Sequence, residues 1–100
     1  MAAKLEPAEV AARLRDLDGW MLEDGKLRRE YRFRDFVQAF GFMASAALAA
    51  EKMNHHPDWC NVYNKVIVML WTHEAGGITA LDFQLAEIMN ALADPEHRSG

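Results

Sequence analysis

Between Phe36 and Met53 only Gln38, Ser45, Glu51 and Lys52 are polar, and the segment holds no proline. Its many alanines predict one long helix, and Asp35 is well suited to cap its start. A helix lying on the surface of a small domain shows a polar half, which this one lacks. Its most apolar stretch, residues 39–50, is broken only by Ser45. That is too short for a bilayer span, which takes about 20 such residues. The helix therefore needs protein cover on more than one side. Gly41, Ala44, Ser45, Ala46 and Ala47 are small enough to let another backbone approach closely. The leading reading is a contact between copies of the chain, as a homodimer or homotetramer. The alternative is a central helix covered by a sheet and its own loops.

The remaining elements follow from periodicity and breakers. Pro7 suits a first helical position, Glu6 and Glu9 sit near the positive end, and Val10, Leu14 and Leu17 form a stripe, so a helix is expected over residues 7–17. Asp18-Gly19 stops it. Trp20, Met21 and Leu22 then lead through Glu23-Asp24-Gly25-Lys26 into a run where Leu27, Arg29, Tyr31 and Phe33 share a face. The Asp-Gly pair marks a hairpin. After the long helix, Pro57 forces a break near Asn54. Residues 59–63 and 66–72 read as a second hairpin with Asn64-Lys65 near its turn, and the apolar run 66–70 suits a strand covered on much of both faces. Gly76-Gly77 is a turn, Thr79 with Asp82 fits a capping box, and a last helix runs to about Ala93 before a frayed tail from Pro95. The expected fold is α+β in the order α-β-β-α-β-β-α, with a four-stranded antiparallel sheet and the helices packed on one face.

One hundred residues, 51% of them apolar and 26% charged, make a single globular domain over residues 1–100. A chain of this size buries roughly 60–70% of its unfolded surface, so association would help it. A net charge of −4 argues against direct nucleic-acid binding, which needs clustered cations. Lys4, Glu6, Glu9 and Arg13 interrupt any signal-like apolar stretch, so no membrane or export role is expected and the cytoplasm is the expected location. Cys60, the one cysteine, reads as a small buried hydrophobe.

Chemistry is concentrated at the seams between elements. His55 and His56 end the long helix, and His73 ends the fourth predicted strand. Histidine near a helix C-terminus is favourable without any further role, because its cation meets the negative end of the dipole. Histidine also serves acid, base and metal chemistry near neutral pH. Glu51 and His55 are four apart and would share a helical face, a spacing that, with His73, could hold a metal. His56 would then point elsewhere and Cys60 has no partner, so no metal is assigned. Asp82 has capping as its plain role and Asp58 the start of a strand or loop, while Trp59 and Trp71 read as strand core.

These residues also resemble a known family. Glu51-Lys-Met-Asn-His-His-Pro-Asp-Trp59, then Asn61-Val-Tyr-Asn-Lys-Val66, then Leu70-Trp-Thr-His73 are similar to the signature of the pterin-4a-carbinolamine dehydratases. Asp35-Phe36, Ala39-Phe-Gly-Phe-Met43, Gly76-Gly-Ile-Thr79, Asp82 and Leu85-Ala86 match it as well, so the resemblance covers about residues 20–92. It implies an enzyme that removes water from 4a-hydroxytetrahydropterin to give quinonoid dihydropterin, regenerating the pterin that aromatic amino-acid hydroxylases oxidise. It further implies an α+β fold, no metal or bound cofactor, and assembly as dimers or dimers of dimers. Animal members also stabilise the dimer of a homeodomain transcription factor.

By position, the resemblance implies that His55, His56 and Pro57 form one substrate-binding segment and Thr72, His73, Glu74 and Ala75 a second. Glu51 and Asp82 match acidic residues that line or support the pocket, and Trp59 adjoins the first segment. Trp71 is a departure, larger than the residue many relatives carry there; a ring facing the pocket would alter the preferred substrate shape. Loss of hydroxide needs an acid at the leaving oxygen and a base at the neighbouring ring nitrogen. The expected roles are His55 and His73 as acid/base partners, His56 as pterin-orienting residue, and Glu51 as the group that orients His55. A dimerisation or coactivator-type binding module built on the Phe36–Met53 helix is the alternative function.

Overall fold

A computed structural model describes residues 2–93; the expected tail from Pro95, with His97, lies outside the described residues. The elements run α1 (Pro7–Leu14), β1 (Met21–Glu23), β2 (Lys26–Arg32), α2 (Phe36–Met53), β3 (Asp58–Val62), β4 (Lys65–Leu70), a 3-10 turn (His73–Ala75) and α3 (Ala80–Ala93). The order and the α+β class are those read from the sequence. The sheet is antiparallel throughout, with spatial order β1-β2-β4-β3.

Each hairpin turns on two residues. Glu23 pairs with Lys26, and Asp24 and Gly25 both have positive φ, the geometry that an Asp-Gly pair supplies at little strain. In the second hairpin Val62 pairs with Lys65, so the turn is Tyr63-Asn64, one residue earlier than expected. Asn61 decides this register: its side-chain amide donates to the carbonyls of both Tyr63 and Lys65. Helix α1 also stops earlier than expected, at Leu14. The chain then tightens, with Asp16 and Leu17 N–H groups bonding three residues back, which still delivers Leu17 to the core.

One core joins the sheet and all three helices. Leu27 and Tyr31 from β2 and Val66, Val68 and Leu70 from β4 face Ala39, Phe42, Ala46 and Ala50 of α2. Phe83, Leu85, Ala86 and Met89 of α3 and Val10 of α1 complete the cluster. Among the described residues, the other sheet face carries no helix. Ile67 and Met69 of β4 point there and are half-buried, so the apolar run of β4 is covered fully on one side only. Cys60, paired with Ile67, lies on that face and is exposed, against expectation, because strand alternation turns it away from the core. Trp71 also leaves the core, since its neighbours Leu70 and Thr72 point inward. Its ring lies 4.1 Å from the Lys26 ammonium. Trp59, paired with the buried Val68, packs partly against the core.

Helix α2 buries a single stripe. Asp35 caps it by accepting from the Gln38 N–H at 2.9 Å. Opposite the stripe, Val37 is 77% exposed, Phe40 59% and Leu48 74%, and Gly41, Ala44, Ser45 and Ala47 are exposed among them. Among the described residues of one chain, nothing covers this apolar face. Among the described residues, no helix is long and apolar enough to cross a membrane.

Candidate active site

The end of α2 sets the site. Asn54 adopts the left-handed conformation (φ 54°), and the His55 N–H bonds back to the Ala50 carbonyl at 3.0 Å. This closing turn breaks the helical screw. It turns the His55 side chain beneath the helix end, where it is buried, and leaves His56 exposed. Pro57 then fixes the exit into β3.

His55 meets Asp82. The imidazole Nε2 lies 2.5 Å from Asp82 Oδ1, and the carboxylate is wholly buried. Asp82 stands in the first turn of α3, where its Oδ2 accepts from the Thr79 backbone N–H at 2.9 Å. That is the reciprocal half of a capping box. The same Oδ2 accepts from the Thr72 hydroxyl at 2.9 Å. Thr72 Oγ1 lies 2.6 Å from Thr79 Oγ1, which in turn accepts from the Leu81 N–H at 3.2 Å. Asp82 therefore caps α3 with one oxygen and holds His55 with the other. One buried residue ties the ends of α2 and β4 to the start of α3. No buried side-chain polar atom among the described residues lacks a partner.

Glu51 does not orient His55, contrary to expectation. Its Oε1 lies 2.8 Å from His56 Nε2, and both side chains are largely exposed. The spacing rule assumed that the helix ran on through residue 55; the left-handed Asn54 ends it and exchanges the two histidines. Thr79 belongs to this network too, although its Thr-x-x-Asp spacing signals only a cap.

The second segment starts at Thr72. Thr72 forms an isolated bridge with Gly77, and between them His73, Glu74 and Ala75 make the tight turn, closed by Gly76 at φ 72°. His73 and Glu74 are exposed, Ala75 half-buried. His73 thus projects from a turn pinned at its base to Thr72, and so to the Asp82–His55 pair. No hydrogen bond of the described residues joins His73 itself to His55 or His56. Pro57 and Trp59 flank the first segment and are half-buried.

Three surface cavities of about 380, 480 and 510 Å³ lie elsewhere, and none is lined by His55, His56 or His73. His56 and His73 are exposed, and the His55–Asp82 anchor is buried. Among the described residues, no group of three His, Cys, Asp or Glu side chains is placed to hold a metal ion. The arrangement offers one buried, carboxylate-backed imidazole and two exposed ones on adjoining loops. Such a set can move protons to and from an organic substrate.

Comparison with known proteins agrees in sequence and shape. The family described as Pterin 4 alpha carbinolamine dehydratase matches residues 3–92. A protein of Solibacter usitatus, provisionally named a pterin-4-alpha-carbinolamine dehydratase, is 57% identical over 93 residues, covering 93% of this chain and 98% of the relative. A protein of Rhizobium johnstonii with the same provisional name is 53% identical over 92 residues, covering 90% and 91%. The crystal structure of a transcriptional coactivator/pterin dehydratase from Brucella melitensis superposes with a TM-score of 0.89 at 49% identity. It covers 91% of this chain and 99% of that one. A match over nearly the whole chain, with the His-His-Pro and Thr-His segments inside it, shows that the chain belongs to the pterin-4a-carbinolamine dehydratase family of hydro-lyases.

Proposed function

We propose that this chain, acting as one domain over residues 1–100, converts 4a-hydroxytetrahydropterin to quinonoid dihydropterin and water, with His55 and His73 as the acid/base pair. In the reaction the carbon–oxygen bond at C4a breaks and the leaving hydroxide takes up a proton. The adjacent ring nitrogen gives up its proton, and its electron pair forms the new double bond. One imidazolium and one neutral imidazole supply both transfers and exchange roles over the cycle. Each transfer is worth about 10²–10⁴-fold.

The observation that carries this reading is the Asp82–His55 pair. A buried carboxylate behind an imidazole fixes its orientation and stabilises the cation formed on proton uptake. His73, on the turn that starts at Thr72, is the partner on the second segment. His56, held by Glu51, orients the pterin, with Pro57, Trp59, Glu74 and Ala75 as further contacts. This division keeps Asp82, Thr72 and Glu51 as supports, while the histidines touch substrate. The chain supplies the chemistry with these side chains alone and serves pterin recycling in the cytoplasm. Formation of the quinonoid product from synthetic 4a-hydroxytetrahydropterin, followed by its absorbance, tests the activity.

The exposed apolar face of α2 supports self-association as a homodimer or homotetramer. Val37, Phe40 and Leu48 form a continuous apolar surface around Gly41, Ala44 and Ala47, a shape that a second copy of the same helix would fill.

A further inference from the structure

Thr72 and Thr79 are both buried, and the hydrogen bonds of their hydroxyls run in one direction. Asp82 Oδ2 accepts two donors, the Thr72 hydroxyl and the Thr79 N–H. A threonine hydroxyl has one proton to give. Since that of Thr72 goes to Asp82, the 2.6 Å contact between the hydroxyls must be Thr79 donating to Thr72. Thr79 Oγ1 meanwhile accepts from the Leu81 N–H. The chain reads Leu81 N–H, Thr79 O–H, Thr72 O–H, Asp82 carboxylate, every donor aimed at the anion.

We infer that this threonine relay holds the Asp82 carboxylate in place and locks His55 in the tautomer with its proton on Nε2, leaving Nδ1 as the nitrogen that exchanges a proton. The carboxylate accepts two hydrogen bonds on Oδ2, and Oδ1 is left as the acceptor that faces His55. An accepting Oδ1 at 2.5 Å requires a donor at His55 Nε2. A neutral imidazole has one N–H, so the lone pair falls on Nδ1. None of the hydrogen bonds of the described residues uses Nδ1. Thr72 and Thr79 are thus positioning residues: they act on His55 through Asp82. That Nδ1 is the atom facing the pterin rests on the proposed dehydration; the tautomer does not.

The test is nitrogen-15 NMR of the intact protein labelled in histidine, at a pH where the imidazoles are neutral. The predicted wild-type signal has a pyrrole-like Nε2 and a pyridine-like Nδ1 for His55. A pyrrole-like Nδ1 in the folded wild type overturns the inference, whatever the variants do. In Thr72→Val and Thr79→Val the relay is broken and the two tautomers are expected to mix. The kcat for dehydration should fall about 10-fold with KM little changed, and Thr72→Ser and Thr79→Ser should restore both readouts. Folded valine variants with the wild-type tautomer and kcat also overturn it. An Nε2–H tautomer in a protein that does not dehydrate the pterin sinks the proposed function and leaves the relay standing.

Discussion

Asp82 and His55 are 27 residues apart in sequence, and their side chains meet at 2.5 Å beneath the end of α2. The pair is both a structural tie and the base of the site, because the second oxygen of the same carboxylate caps α3. Replacement of Asp82 therefore has two separable consequences. Asp82→Ala strands the Thr79 N–H, the Thr72 hydroxyl and the His55 ring, and should lower stability by about 2–4 kcal/mol in chemical denaturation. Asp82→Asn keeps the size and an acceptor for the cap, so it should lose less stability while its dehydration rate falls about 10²-fold or more.

The left-handed Asn54 is what sends His55 inward. Asn54→Gly should leave stability and activity near wild type, because glycine adopts this conformation freely. Asn54→Val should cost about 1–2 kcal/mol, since a β-branched residue is strained there. If that strain is relieved by reopening the turn, the His55–Asp82 contact goes with it. A melting curve and a rate assay on the two variants separate these effects.

Glu51 and His56 form a surface pair that acts on binding. Glu51→Gln and His56→Gln should each raise KM by a few-fold with little change in kcat, and the double variant should be less than additive. Both should melt close to wild type, because exposed ion pairs contribute little to stability.

Much of this architecture is readable along the chain, and the exceptions have local causes. The Asp24-Gly25 turn, the Asp35 cap and the start of α2 follow from residue chemistry within a few positions. Cys60 and Trp71 do not, because an apolar side chain on a strand can point to either face and only the assembled sheet decides which is covered. The Glu51 pairing depends on where a helix stops to within one residue, a boundary that periodicity does not resolve. The Thr79–Asp82 contact is the capping box that their spacing signals, whereas Thr72 meets both through tertiary packing, which its place in the sequence does not encode.

Tyr31 gives the fold an alkaline limit. Burial pushes its hydroxyl well above the ordinary phenol value of 10.0. The hydroxyl also donates its proton to Asn90 Oδ1 at 2.5 Å. The folded chain thus holds this proton more tightly than the unfolded chain. The contribution is fully present below about pH 10 and is lost as pH rises beyond it, by up to about 1.4 kcal/mol per pH unit. Denaturation midpoints measured from pH 9 to 11 should fall accordingly, and Tyr31→Phe should flatten that part of the decline.

The exposed face of α2 should be covered in solution. Phe40→Glu and Leu48→Glu place charge on it without touching the core stripe. Light scattering should show an oligomer for the wild type and a smaller species for these variants. A wild type that stays a single chain at micromolar concentration contradicts this part of the account.

The most direct measurement is stopped-flow dehydration of 4a-hydroxytetrahydropterin by the wild type beside His55→Ala and His73→Ala. The account predicts a wild-type rate far above that in buffer and a loss of about 10²–10⁴-fold in each variant. A wild type no faster than buffer, or two alanine variants that keep the full rate, would contradict it.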